Sequence, residues 1–581
     1  MREEKHRFDF CVVGGGMAGL IAAISAARHG AKVALVHDRP VLGGNASSEV
    51  RMHVSGAHGK NMRETGVLEE VVLENHYRNP QPNYSIWDSV LYGKVQYQEN
   101  VTQFLNCSVN RCTMDGPGIR SVTGWQPTTE TWHTIEADLF ADCSGDGILA
   151  PLSGAEYRIG REARSEYGES IAPEVADRKT MGMTCLFQAR EHDHPMPFIP
   201  PDWAYTFTTA EELRGRNLQL RKTNFWWMEL GGEQDSIHDT ERLRDELLKI
   251  AFGVWDYLKN HSDQDTENWA LDWLGFLPGK RESRRYVGAH VLTQNDIAAE
   301  GRFDDLVAYG GWTMDDHFPA GFNHPKAGTI FHPAPSPFGI PYGSLYSRNI
   351  ENLFCAGRCH SASHAAMSAT RVMGTTSLMG QAVGTAAGLA VREGVSPQIV
   401  REQHIRELQE MLMGDDSYLP WHQRAIPELS KRATLSASAG DPEPLRNGTD
   451  RPIGDVDNGW LGALGASVTY TFEGTVPVQE IRLVFDSNLE RLDDARGYRS
   501  KNMRDLFPRS APPWTVPGTL VKAFRIEALD AAGNWRTVSE EANNYQRLVR
   551  VPLGIEAHAL RFVPLATWGA DQAHLFAFDV R

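Results

Sequence analysis

The chain has 581 residues, 41% of them hydrophobic and 23% charged, the balance of an ordinary globular protein, and that length exceeds one compact core, so two or three domains are expected. A formal net charge of −16 excludes the basic face that a nucleic-acid backbone requires. No apolar run is long enough to span a bilayer and no charged-then-apolar leader opens the chain, so a cytoplasmic protein without a membrane partner is expected.

In chain order, residues 8–13 form a short apolar run that predicts a buried strand and the start of the fold. Gly14, Gly16 and Gly19 follow in G-x-G-x-x-G spacing. Residues 17–29, rich in alanine, leucine and isoleucine, predict a helix closed by Gly30, and residues 32–36 a second strand. The unit is βαβ. Its glycines permit a tight turn and close approach of a pyrophosphate to backbone N–H groups at a helix N-terminus. At the end of the second strand, Asp38, or His37 through a neutral ring nitrogen, is placed to hold a ribose. A second glycine cluster, "LGGNASSE", follows with Gly43, Gly44, Asn45 and Ser47.

Cys11, Cys107, Cys112, Cys143, Cys185, Cys355 and Cys359 are scattered and odd in number, which fits reduced thiols. Cys107 and Cys112 have the spacing of a flavin-linked disulfide but stand in the wrong place for one. The segment "WHTIEADLFADCSGDGILA" predicts a strand ending at Gly145, Asp146 and Gly147. "MTCLFQAR" and "NFWWMEL" predict strands, with Phe225, Trp226 and Trp227 suiting a sheet that faces a pocket. Leu243, Leu247, Ile250, Val254 and Leu258 lie at helical spacing. "GKRESRRYV" suits either an anion clamp or an ion-pair network.

Further on, residues 353–356 predict a short strand followed by Gly357 and Arg358. A helix rich in glycine and alanine begins after Met373, and another is expected over 398–413. From about residue 429 the chain alternates as antiparallel strands with Gly- and Asp-containing turns. That order resembles a discoidin-type, galactose-binding-like jelly roll.

Taken together, "DRPVLGGNASSE", "GDG", "GKRESRRYVGAHVLT" and "NLFCAGR…SATRVMG…GQAVGTAAG" resemble the FAD-dependent oxidoreductase family of the glutathione-reductase-like flavoproteins, over roughly residues 5–415. The resemblance implies an α/β fold. A Rossmann-like FAD-binding domain (5–160 and 336–415) carries an inserted α+β substrate domain (161–335), and a β-sandwich follows (429–581). It also implies roles. Gly14, Gly16 and Gly19 lie against the FAD pyrophosphate, and Gly43, Gly44, Asn45 and Ser47 wrap the ribityl and pyrophosphate region. The backbone of Val109 meets adenine, Gly145 with Asp146 marks the adenosine half, and Arg358 after Gly357 meets a phosphate. Gly374 opens a helix aimed at the flavin pyrimidine edge, where negative charge grows on reduction.

Two classes of function compete: a flavoenzyme moving a hydride between a C–H bond and the flavin, and a carbohydrate-binding protein on a flavoprotein scaffold. The complete cofactor cradle favours the enzyme. The jelly roll and the tryptophans point to a small polyhydroxylated substrate, such as a sugar or glycoside alcohol oxidised to a ketone; C=C reduction and hydroxylation are alternatives. Oligomeric state is left open. An alcohol oxidation needs a base, and histidine is the usual choice. His364 and His317 are the first candidates, with His58 and His53 near the second glycine cluster and Arg51 as an oxyanion partner. His360 and His364 stand four apart, but no third ligand is apparent, so no metal is expected.

Overall fold

The computed structural model describes residues 1–221, 223–326, 328–489 and 502–581. Residues 222 and 327, in the expected substrate domain, and 490–501, in the expected β-sandwich, lie outside the described residues. Two compact units are present, each assembled from separated stretches. The first comprises Met1–Ala57, Pro82–Leu408 and Lys501–Pro512; the second comprises His58–Gln81, Gln409–Ser500 and Pro513–Arg581. Residues 161–335, expected as an inserted domain, share the first unit with both nucleotide-fold stretches.

In the first unit, strand β1 (Arg2–Val13) leads into helix α1 (Met17–Arg28) and strand β2 (Val33–Val36). Strands β3 (Val101–Phe104), β4 (Ser108–Asp115), β5 (Gly118–Gln126) and β6 (Thr131–Asp142) follow. They form one mixed sheet in the order β3-β2-β1-β6-β5-β4. Strand Leu353–Cys355 pairs in parallel with β6. The pairs of β1 with β2 and β6, and of β2 with β3, are parallel; the β4–β5–β6 edge is antiparallel.

Strand β1 begins at Arg2, not at Phe8 as the apolar run suggests. Residues 2–7 pair in register with residues 131–136 of β6, and their alternating charged side chains conceal the strand from a hydrophobicity reading. Helix α1 is buried almost all round, and helix Met373–Glu393 lies against it so closely that a Cβ on Gly380 or Gly384 would meet the backbone oxygens of Ala18 and Ala22 at 2.1 and 2.2 Å. Only glycine permits that approach.

The middle of the chain is less regular than its pattern. "MTCLFQAR" divides into Met183–Thr184 and Phe187–Glu191, and of "NFWWMEL" only Glu229–Leu230 is strand. Phe225 takes φ +58° and turns the chain while its ring stacks on Phe187, with centroids 4.5 Å apart. Helix Thr240–Asp256 carries Leu243, Leu247, Ile250 and Val254 into a core shared with Trp227, Trp255 and Trp269. The expected 398–413 helix is interrupted at His404 into Pro397–Gln403 and Ile405–Gly414.

The second unit is an antiparallel assembly that resembles a β-sandwich. Its sheet runs Trp460–Ala463, Gln572–Val580, Val468–Phe485, Leu548–Thr567, Val521–Leu529 and Trp535–Glu541, and Thr434–Ala437 pairs with Val468–Phe485. Phe485, Phe524, Phe562 and Phe578 meet in its core. Arg482, fully buried, contacts Asp450 at 2.9 Å and Asp579 at 3.4 Å, and donates to the carbonyls of Gly414 and Met413.

All seven cysteines are free and all but Cys112 are buried. Burial pushes the thiols up, Cys107 to about 12 and Cys112 to about 11.

Candidate functional site

The first turn of the βαβ unit is an open cradle with built walls. A Cβ on Gly14 would meet Cys143 and Ser144 backbone atoms at 2.4 Å, and one on Gly19 would lie 1.8 Å from the Gly14 oxygen. These two glycines are required by protein packing. Gly16 differs, because a Cβ there meets nothing nearer than the Gly44 Cα at 4.0 Å. The space beside Gly16 is therefore open at the N-terminus of α1, which has no side-chain cap and no acidic residue in its first turn. An anion fits such a helix end, where N–H groups and the positive end of the helix dipole converge.

The second glycine cluster forms the opposite wall. Gly43 donates its amide to the Gly15 carbonyl at 2.8 Å, and Gly16 and Gly43 form an isolated parallel bridge. Gly43 (φ +109°) and Gly44 (φ +57°) take left-handed conformations that fold the loop back onto the first turn. The two glycine clusters of the sequence thus face each other. Asn45 donates to the Lys280 carbonyl at 3.1 Å, while the buried Ser47 hydroxyl donates to the Gly44 carbonyl at 2.7 Å and shapes the loop instead of facing a ligand.

His37 does not hold a ribose. Its Nδ1 accepts the Gly15 amide at 3.0 Å and its Nε2 donates to the Val41 carbonyl at 3.1 Å, which spends both nitrogens within the turn. Burial lowers its pKa and keeps it neutral. Asp38 beside it remains exposed at the end of β2. Val109 opens β4 opposite Gly124, with its side chain in the sheet's core.

On the far side of β6, the Asp146 carboxylate takes Lys280 Nζ at 2.6 Å, Ser283 Oγ at 2.8 Å and Arg358 Nη2 at 3.2 Å. Burial alone would raise this carboxyl, but Arg358 and Lys280 outweigh it and hold it below its usual range. Asp146 thus orients Arg358 and is not itself open to a cofactor. Arg358 Nη1 is buried with no partner among the described residues. Gly357, which precedes it at φ +92°, lies against Ala18 in the first turn of α1. An unpaired buried guanidinium N–H next to an uncapped helix N-terminus is the donor set a pyrophosphate satisfies. The residues present fit the phosphate half of FAD.

At helix Met373–Glu393 the Gly374 amide is not free. The Gly374 amide is taken by the Ser55 carbonyl at 2.7 Å, whereas the Thr375 hydroxyl is buried without a partner among the described residues.

The candidate bases separate sharply. His364 donates from Nδ1 to Glu282 at 2.8 Å and from Nε2 to Asp316 at 3.1 Å. Burial would lower its pKa, but Glu282 and Asp316 overcome that and raise it to about 10. Charged and bonded at both nitrogens, His364 is no proton acceptor near neutral pH. Glu282 is shared with the fully buried Arg285, which also holds Glu162 at 2.6 Å. The basic motif of the sequence is thus an internal ion-pair network. His317 has Glu229 at 2.5 Å from Nδ1, Asp315 at 3.3 Å from Nε2, and the half-buried Trp226 ring edge-on at 5.2 Å. Asp315 is tied to Arg371 at 3.2 Å, two residues before helix Met373–Glu393. Burial would raise the Asp315 carboxyl, yet His317 and Arg371 hold it well below its usual range.

The other candidates are engaged elsewhere. His360 donates to the Gly357 carbonyl at 2.8 Å and contacts the Thr370 hydroxyl at 3.0 Å, and burial lowers its pKa to about 4. Arg51 lies between the Tyr84 and Trp273 rings, at 4.6 and 4.5 Å, and donates to Gln188, so its faces are not open to an oxyanion. His53 pairs with Asp505 at 2.7 Å. His58 belongs to the second unit. Glu229, Glu282 and Arg371 were missed in the sequence because the partners that matter here are 56 to 88 positions away.

No curated protein matches the chain. Among solved structures, the family 32 carbohydrate-binding module of Streptococcus pneumoniae EndoD shares 18% identity, over 27% of this chain and 97% of its own, with TM-score 0.20. Chitosan-binding module 1 of a Paenibacillus sp. IK-5 chitosanase/glucanase shares 12%, over 28% and 98%, with TM-score 0.18. The family 32 module of Clostridium perfringens NanJ, in complex with galactose, shares 14%, over 26% and 95%, with TM-score 0.17. Among the described residues no helix is long and apolar enough to cross a membrane. The sequence model described as FAD dependent oxidoreductase matches residues 9–412, more than half of the chain, and the protein belongs to that family.

Proposed function

We propose that this FAD-dependent oxidoreductase oxidises a secondary alcohol of a small polyhydroxylated substrate, with His317 as the proton acceptor. The observation that carries the reading is the His317 cluster, in which Glu229 holds Nδ1 and Asp315, also drawn to Arg371 at 3.2 Å, lies 3.3 Å from Nε2 beside the edge of Trp226, so that a substrate hydroxyl reaches Nε2 by taking the place of Asp315. Glu229 fixes the tautomer and stabilises the imidazolium that forms when Nε2 takes the hydroxyl proton. Glu229 is buried, and Asp315, whose side chain keeps 13% exposure, is the carboxylate a ligand O–H would reach. Trp226 offers the flat apolar face that a sugar ring packs on.

In this reading residues 5–160 and 336–415 hold the cofactor and residues 161–335 provide the substrate side. Gly16, Arg358 and the α1 N-terminus bind the pyrophosphate, Asp38 the ribose, and Thr375 the pyrimidine edge. Bound FAD would supply the hydride acceptor for the carbinol carbon, while His317 holds the hydroxyl proton. FAD is held non-covalently in this reading, because His53 is engaged by Asp505. Acid precipitation is expected to release the yellow colour into the supernatant; colour in the pellet overturns that point.

The decisive experiment titrates oxidised enzyme anaerobically with a panel of sugars, hydroxy acids and terpenoids while flavin absorbance is followed. Bleaching by polyols and not by the other classes is the expected result. Bleaching only by a hydroxy acid or a terpenoid refutes the substrate class.

A further inference from the structure

At the opposite end of the sheet, the structure assigns a zinc-type metal site to Glu4, His6 and His133. Strand alternation puts Glu4 and His6 on one face of β1, and the parallel register with β6 sets His133 directly across from Glu4. His6 Nε2 donates to His133 Nδ1 at 3.0 Å, through a proton that an entering ion displaces to water, and Glu4 Oε2 lies 3.7 Å from each. A point equidistant from those three donors falls about 2 Å from all of them, the length of a zinc–nitrogen or zinc–carboxylate bond. Two imidazoles and one carboxylate are a donor set that divalent zinc accepts, with a fourth position left for water.

The surroundings are those of ligands already oriented. His133 donates its other nitrogen, Nε2, to Gln126 Oε1 at 3.2 Å, the outer contact that fixes which imidazole nitrogen faces a metal. The second carboxylate oxygen of Glu4 accepts from Arg2 at 2.6 Å, which leaves Oε2 turned toward the histidines. Phe104 packs edge-on against both rings, at centroid distances of 5.0 and 5.1 Å, and restricts their rotation. Glu4 and His6 retain 28% and 24% side-chain exposure, enough for an ion and its water to enter. Eight residues of strand separate His6 from Gly14, about 26 Å at the rise of a β-strand, so this site is independent of the cofactor cradle. Its effect would be to clamp the polar end of β1 onto β6.

The test uses tag-free holoenzyme, stripped with EDTA, desalted, and titrated at neutral pH with Zn²⁺ by calorimetry and with Co²⁺ by visible absorbance to the red of the flavin bands. One equivalent of Zn²⁺ is expected, with tetrahedral Co²⁺ bands and a higher melting temperature in its presence. His6→Ala and His133→Ala should each weaken binding at least about tenfold, and Gln126→Leu by about 10–100-fold, the usual cost of losing an outer-shell contact. Should His6→Ala fail to fold, Glu4→Gln, at a partly exposed position, carries the same comparison. Wild-type protein that binds no more Zn²⁺ than the His6→Ala/His133→Ala double variant overturns the proposal. So does a melting temperature that Zn²⁺ leaves unchanged.

Discussion

Gly43 donates its amide to the Gly15 carbonyl across 2.8 Å, which locks the two glycine clusters of the sequence face to face. Among these glycines only Gly16 has room for a Cβ, its nearest atom being the Gly44 Cα at 4.0 Å, so packing does not require glycine there and the proposed cofactor does. Gly16→Val should therefore fold, with far-UV circular dichroism and a melting temperature close to those of the stripped wild type, yet purify without flavin. Gly19→Val should give little soluble protein, because its Cβ would collide with the Gly14 oxygen at 1.8 Å. Flavin retained at full occupancy by Gly16→Val contradicts the assigned cradle.

Arg358 supplies the buried donor on the other side. Arg358→Met keeps much of the packing volume but removes the unpaired Nη1 and the contact to Asp146. Losing a charge-assisted contact of about 1.5–3 kcal/mol corresponds to about 10–100-fold weaker binding of FAD. Reconstitution of stripped protein, followed by quenching of flavin fluorescence, measures it; unchanged affinity removes Arg358 from the phosphate site.

For the base, His317→Gln should leave the flavin spectrum intact while slowing its reduction by substrate by about 10²–10⁴-fold. Glu229→Gln should lower the same rate less, and should also shift its pH profile, since it changes the charge facing Nδ1. Stopped-flow reduction at several pH values separates the two effects. A His317→Gln enzyme that reduces at the wild-type rate excludes the residue.

His364 has a different signature. Its folded pKa, about 10, lies above the usual histidine value, so the stabilisation from its two carboxylates is complete below about pH 6.5 and drains away as pH rises toward 10. The slope in that window is on the order of 1 kcal/mol per pH unit. Denaturation curves across the window should show the decline in wild type and a flatter profile in His364→Gln. Equal slopes in both would mean that His364 is not held as a cation.

In the second unit, Arg482→Met should destabilise by about 3–5 kcal/mol, because Asp450 and Asp579 would keep their burial but lose one of their cationic partners. Arg424, which also contacts both carboxylates, remains. Urea unfolding followed by tryptophan fluorescence reports the loss; a change under about 1 kcal/mol would mean that Arg424 alone suffices.

The parts of this architecture visible in the sequence are those encoded by near neighbours. Gly14 to Gly19 and the alanines of α1 announce a βαβ unit because turn, helix and strand fall within thirty-odd consecutive residues. Residues 2–7 escaped notice because a strand laced with charges has no hydrophobic signature, and only its register with 131–136 reveals it. His364 looked like a free base because Glu282 and Asp316, 82 and 48 positions away, decide its charge. His37 looked like a ribose ligand because nothing local shows that Gly15 and Val41 occupy its two nitrogens. Likewise, residues 58–81 carry no mark in the sequence of belonging with the C-terminal strands.

The seven unpaired thiols, held protonated by burial, constrain how electrons move through the molecule. A disulfide that accepts a hydride's two electrons from the flavin has to form and re-form through an attacking thiolate, and burial pushes the free thiols of Cys107 and Cys112 up to about 12 and 11. Cys107 and Cys112 then do not relay electrons for the cofactor. In the proposed reading, the two electrons taken from an alcohol have to leave for an external acceptor before a second alcohol can be oxidised, so the catalytic cycle alternates strictly between one oxidation and one discharge. Steady-state rates measured against substrate and acceptor together should give the parallel double-reciprocal lines of a ping-pong mechanism, with thiol-blocking reagents leaving both half-reactions untouched.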